Sequence, residues 1–210
     1  MDEVHQFCRR VVGSGADALD AANEAHAGSG GGRVELLAAA ARACRARAGN
    51  EPSPAPAGDG DADRDLASAV AAELELATSR LPERHREALA LREALALSHD
   101  EIATVMGLER AAVAPLLARA RLALREERRA VPAPIAECTD RDRALRALAC
   151  RQDSEPLRSD DEEWLLAHLG RCPECNSAHA AMLEASVCYR AAGLPEVHAP
   201  RGQALASRSE

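Results

Sequence analysis

The 210-residue sequence contains no lysine: all 26 basic residues are arginine, against 34 acidic ones, for a net charge of −8. That balance excludes a protein that coats nucleic acid indiscriminately, while leaving room for one locally basic segment. Aromatic side chains are nearly absent as well, Phe7, Trp164 and Tyr189 being the three. β-Branched residues are sparse, and the strong helix formers Ala, Leu, Glu and Arg dominate, so the expected fold class is all-α. No run of about 18 apolar residues occurs, which excludes a membrane-spanning helix. The acidic start Met1-Asp2-Glu3 has no apolar signal core, so the expected location is the cytoplasm, with no membrane partner.

What is present is unevenly distributed. Of seven cysteines, Cys8, Cys44, Cys138, Cys150, Cys172, Cys175 and Cys188, five follow residue 137. Without an export signal, such clustering points to metal binding or thiol redox chemistry rather than to a disulfide framework. Glycines at 13, 15, 28 and 30–32 divide residues 1–48 into short helices. The Pro/Gly/Asp/Ala stretch 49–62 reads as a linker, because it has nothing to bury. Residues 63–129 carry helical periodicity, 130–136 form a second linker at Val131-Pro132-Ala133-Pro134, 137–192 are the cysteine-rich unit, and 193–210 read as a disordered tail. In the third of these segments helices are expected near 139–151, 160–169 and 174–191.

Two features of residues 63–129 have a mechanism behind them. Ser98 with Glu101 three residues on is a capping-box pair that starts a helix, and Gly107 stops it. Ala103, Gly107 and Val113 then have the spacing of a helix-turn-helix, in which a small residue, a turn glycine and a branched filler let two helices approach. The surrounding Leu81-Pro82-Glu83-Arg84-His85-Arg86, Leu97-Ser98-His99-Asp100-Glu101-Ile102-Ala103 and Ala118-Arg119-Ala120-Arg121-x2-Leu124-Arg125 closely resemble region 4 of extracytoplasmic-function sigma factors. The resemblance implies that the second helix of the motif reads promoter DNA in the major groove. Arg110, Arg119, Arg121 and Arg125 are the candidate DNA contacts. Arg121, Arg125 and Arg128, at i, i+4 and i+7, would form one basic face toward phosphates. Ala111, Ala112, Ala114, Pro115 and Leu116 stand where that family usually carries polar or cationic residues, although base reading calls for hydrogen-bonding side chains. Pro115 lacks a backbone donor, so this helix is expected to start late or kink.

Upstream, Ala16 to Glu24 resembles the part of sigma region 2 that docks on RNA polymerase core. Asp20 and Glu24 lie one turn apart, and with Asn23 they are the candidate polymerase contacts. Leu36 to Arg42 echoes the later helix of that region. The aromatic side chains that capture an unstacked base are missing here, Gly28 to Gly32 standing in their place, so promoter melting is not expected.

His168-x3-Cys172-x2-Cys175 is the strongest chemical signal. The Cys-Pro-Glu-Cys knuckle presents two thiols to one ion with an imidazole one turn earlier, and Zn2+ takes four such ligands tetrahedrally when its role is structural. This unit resembles the zinc-binding anti-sigma domain, whose upstream cysteine implies Cys138 as the fourth ligand. The interval from Cys138 to His168 is longer than that family's by roughly one helical turn, which leaves Cys150 and His179 as rivals. A structural ion is the main expectation and redox sensing the other.

The function expected is a sigma-factor-like transcription regulator acting at RNA polymerase and promoter DNA, modulated by its attached zinc domain. The alternative is an anti-sigma or protein-interaction adaptor, partnered with a sigma or anti-sigma protein, that no longer reads DNA. No nucleophile–base pair or phosphate-cradling glycine loop is present, so an enzyme is not expected.

Overall fold

The computed structural model describes residues 3–13, 15–47, 62–130 and 138–192, with side chains for all of these but 62–68. Among the described residues there are ten α-helices, one π-helical turn and no strand. The N-terminal helices are α1 (Glu3–Val12), α2 (Ala16–Gly28) and α3 (Arg33–Arg47). They are followed by α4 (Ala62–Ser79), α5 (Glu83–Leu89), the π-helical turn Ala90–Ala94, α6 (His99–Met106) and α7 (Arg110–Arg129). The C-terminal helices are α8 (Arg141–Gln152), α9 (Ser159–Leu169) and α10 (Pro173–Ala191). The expected linkers 49–62 and 130–136 and the tail 193–210 lie outside the described residues, apart from Ala62, which opens α4, and Ala130, which closes α7.

Local chemistry sets the helix ends. At α6 both halves of the capping box form: the Ser98 Oγ accepts from the Glu101 amide, and Glu101 Oε2 accepts from the Ser98 amide at 2.8 Å. Replacing Ser98 by Ala should cost about 1 kcal/mol, read as a lower urea midpoint at unchanged slope. Gly107 ends α6 with φ +64°, the left-handed region, where its amide bonds back to the helix carbonyls. A Cβ added there would meet nothing within 4 Å, so Gly107→Ala should cost only the conformational strain of about 1–2 kcal/mol. The expected late start of the next helix is not found. α7 opens at Arg110 and continues through Pro115 to Arg129.

α7 is the axle of the molecule, because three of its faces are buried in three different clusters. Val113 and Leu117 join Phe7, Leu37, Leu91 and Ile102, so α1–α3 and the helix-turn-helix share one core. Ala114, Ala118 and Leu122 pack with Leu145, Leu148, Leu165 and Met182 of α8–α10. Ala120 and Leu124 meet Leu74, Leu81 and Leu89 together with Ala185 and Tyr189 of α10. With so few aromatics, close approach through alanine replaces bulk. Buried area rather than ring stacking supplies the stability, at roughly 25 cal/mol per Å² of apolar surface.

Candidate nucleic-acid interface and metal centre

The helix-turn-helix is α6, the turn at Gly107 and α7, with Ile102 and Val113 fully buried between the two helices. Arg110 lies at the start of α7, partly exposed, paired with Asp100 at 2.9 Å and with Glu155 at 2.8 Å. Arg119 is exposed and lies 3.7 Å from Asp142 of α8. Arg125 is largely covered and lies 3.9 Å from Glu184 of α10. Arg128 faces Glu73 of α4 at 3.3 Å.

Arg121 is where the structure overturns the expected basic face. Its side chain is 0% exposed and points inward, so it cannot reach a phosphate in this arrangement. Its position explains this: it follows Val113 and Leu117 at successive i+4 steps, on the buried stripe rather than the solvent side. The guanidinium donates to Glu93 Oε1 at 2.6 and 2.8 Å and to Asp153 Oδ1 at 2.5 Å. His99, also 0% exposed, has its Nε2 2.9 Å from Asp153 Oδ2. Arg92 donates to the same Asp153 at 3.0 Å, while the Ser186 hydroxyl and Arg190 of α10 donate to Glu93 at 2.7 and 2.9 Å. Burial opposes the charge of Asp153, but the hydrogen bonds from His99 and Arg121 and the charges of Arg121 and Arg92 outweigh it, holding its carboxyl at about 2. Burial likewise opposes the Arg121 cation, and Asp153 and Glu93 outweigh that too, raising it above its ordinary value.

The rest of the expected reading face is divided between solvent and protein. Ala111 and Ala112 are exposed, Pro115 and Leu116 are half-buried, and Ala114 lies beneath the C-terminal helices. On α2, Asp20, Asn23 and Glu24 are all exposed, with Glu24 paired to Arg47 at 2.9 Å and Leu19 half-exposed beside them.

Four of the cysteine and histidine candidates come together. Cys138 precedes α8, His168 ends α9, Cys172 caps α10 and Cys175 lies in its first turn, and their donor atoms all fall within 4.8 Å of one another. The Cys138 Sγ is 3.5 Å from the His168 Nε2. The rivals lie apart from this group: Cys150 is buried in the core between α7 and α8–α10, and His179 is half-buried on α10. The knuckle closes through the Arg171 and Cys172 amides, which bond to the His168 carbonyl at 3.0 and 2.9 Å. Trp164 stacks on the His168 ring with centroids 4.8 Å apart, and the Arg143 guanidinium covers Trp164 at 4.1 Å. Burial, then its hydrogen bonds with Cys172 and Cys138, push the Cys175 thiol up to about 12. Glu174, on the surface, accepts from the Cys172 thiol at 3.0 Å, a local contact with no general-base geometry.

Sequence reasoning passed over Glu93, His99 and Asp153. Glu93 stands midway between the buried Leu89 and Leu97, and Arg121 stands on the apolar stripe of α7. A charge on an apolar stripe was the available signal for both. Nothing in local sequence marks Asp153, whose partners come from α6, α7 and the π-helical turn.

No curated protein and no solved structure matches the chain. Residues 71–124 match the family model described as Sigma-70, region 4, so the segment from α4 through α7 is sigma-factor-like, and the family it matches is one of transcription-factor domains.

Proposed function

We propose that the chain is a transcription regulator acting at RNA polymerase core and promoter DNA, and that its C-terminal helices bind zinc and modulate that action. The observation that carries the regulatory reading is the region 4 match over 71–124, lying on a capped α6, a left-handed Gly107 turn and a continuous α7. Arg110, Arg119 and Arg125 remain the candidate DNA contacts, and Asp20, Asn23 and Glu24 the candidate polymerase contacts. The exposed Leu19 beside them adds the apolar anchor that a charged docking face otherwise lacks.

The zinc assignment rests on donor chemistry. Three thiols and one imidazole make a set that structural zinc takes, and tetrahedral Zn–S bonds require sulfurs about 3.8 Å apart, compatible with the 4.8 Å limit observed. Bound there, the ion would join the start of α8, the end of α9 and the start of α10. Purified protein should carry one zinc per chain and Cys172→Ala should lose it; equal zinc in both proteins would overturn the ligand assignment.

A second reading, an adaptor for a sigma or anti-sigma protein, is favoured by Ala114, Ala118 and Leu122 lying beneath α8–α10, where a reading helix needs an open face. Co-purification separates the two. The first reading expects retention on polymerase core that weakens about tenfold in an Asp20→Arg/Glu24→Arg variant. The second expects retention of a sigma protein and none on core.

A further inference from the structure

We infer that residues 138–192 act as an internal stand-in for a nucleic-acid backbone: their carboxylates occupy the cations of α7, so docking of this segment and phosphate binding by α7 exclude each other. The inference deepens the proposed function and rests on the region 4 reading of α7.

It begins from charge. α7 carries six arginines against two glutamates, whereas residues 138–192 carry ten carboxylates against seven arginines. Each of the three remaining candidate DNA arginines is faced by a carboxylate from that one segment: Arg110 meets Glu155 at 2.8 Å, Arg119 meets Asp142 at 3.7 Å and Arg125 meets Glu184 at 3.9 Å, while the buried Arg121 meets Asp153 at 2.5 Å. Glu184 also takes Arg129 at 2.6 Å. The other Glu155 oxygen accepts from the His99 amide at 2.8 Å, at the N-terminus of α6. Free helix amides beside an arginine form the kind of site that receives a phosphate oxygen, and here a glutamate holds it.

The contacts to Arg119 and Arg125 are long, and the first is exposed, so these pairs contribute little to stability. Their arrangement matters more than their strength. Asp142 and Glu184 stand on two different helices, and Asp153 and Glu155 on the turn after α8, yet all four face one helix. Ala114, Ala118 and Leu122 supply the apolar base of the docking, which also accounts for the apolar residue at position 114 of the reading helix. A duplex cannot approach Arg110 or the α6 amides while Glu155 is seated there.

The test uses the full-length, zinc-loaded chain and a random-sequence 30-base-pair duplex, which probes phosphate binding alone. Asp142→Asn/Glu155→Gln/Glu184→Gln removes the stand-in charges and leaves the buried Asp153 in place. This variant should bind the duplex at least about tenfold more tightly than wild type, and its log affinity should fall more steeply with log salt, by about 3.6 for the four cations whose partners in this segment are removed, Arg110, Arg119, Arg125 and Arg129. The control Asp160→Asn/Glu162→Gln/Glu163→Gln changes net charge equally on the exposed first turns of α9, away from α7, and should leave affinity within about twofold. Should the triple variant prove unstable, Glu155→Gln alone should give about a threefold gain, since it removes one of the two carboxylate charges on Arg110 and the charge held at the α6 amides. Affinity and salt slope equal to wild type, or an equal gain in the control, would overturn the inference. Polymerase co-purification of the same variant keeps the two ideas distinct: retention on core without a duplex gain sinks the stand-in and spares the regulatory reading, and the reverse result does the opposite.

Discussion

Changing Cys175 to Ser is expected to abolish zinc binding and unfold α9, with the largest effect on stability of any single change in the chain. Zinc bound by such donors contributes on the order of 10–16 kcal/mol to folding at neutral pH. A unit of this size, whose only rings besides its histidines are Trp164 and Tyr189, has little else to replace it. α9 is the exposed point, for it buries only Leu165 and His168. α10 should persist in part, because Met182, Ala185 and Tyr189 are held in cores shared with α7 and α4. Trp164 reports the event: stacked on His168 and covered by Arg143, it should shift its emission to the red and become quenchable when the variant is made or a chelator is added. Unchanged Trp164 emission and full helicity in metal-free protein would sink the assignment.

The second large effect lies at the buried ion cluster. Arg121→Met should destabilise the protein by about 3–5 kcal/mol, because it leaves Glu93 and Asp153 charged, buried and short of their main donor. Coulomb attraction is not the reason. Replacing the whole set, as Arg121→Met/Glu93→Gln/Asp153→Asn, should recover most of the loss, since the desolvation of three charges disappears with them. A triple variant no more stable than the single one would show that the geometry of the cluster, rather than its desolvation, sets its worth.

The same cluster gives the acid limb of stability. Asp153 sits at about 2 in the folded protein against 3.8 ordinarily, so the unfolded chain binds its proton at the higher pH. The contribution is therefore complete above about pH 4 and is lost as pH falls toward 2, on the order of 2 kcal/mol in all. Glu87 runs the other way. Burial pushes its carboxyl up despite Arg45 beside it, so acid relieves it and offsets part of the loss. Urea midpoints measured from pH 5 down to pH 2 should fall in wild type and fall less in Asp153→Asn.

Much of the architecture was legible because it is local. The Gly/Ser stretches 13–15 and 28–32 separate α1, α2 and α3, and Ser98, Glu101 and Gly107 bound α6. The three helices expected at 139–151, 160–169 and 174–191 appear at Arg141–Gln152, Ser159–Leu169 and Pro173–Ala191. The His168, Cys172 and Cys175 part of the metal group was legible for a related reason, a Cys-x2-Cys knuckle with a histidine one turn earlier; the fourth donor stood open between Cys138, Cys150 and His179, and it is the structure that brings Cys138 to the group. The role of Arg121 was misread because the i, i+4, i+7 arginine spacing describes an exposed face and a buried one equally well. Which of the two it is depends on what packs against α7. Pro115 misled for a different reason. A missing donor costs about 3 kcal/mol in isolation, and α7, packed into three cores, carries that cost and continues.

By itself the amino-acid sequence determined most of the helices, the bounds of α6 and the His168, Cys172 and Cys175 knuckle, since each depends on residues within a few positions of one another or on one strongly spaced motif. Only the tertiary structure decided that α7 is enclosed by the N-terminal and C-terminal helices, that Arg121 lies inside with Glu93 and Asp153, and that carboxylates of the C-terminal segment face Arg110, Arg119 and Arg125. Such long-range pairings are governed by which surfaces exclude water together, and no local pattern records that.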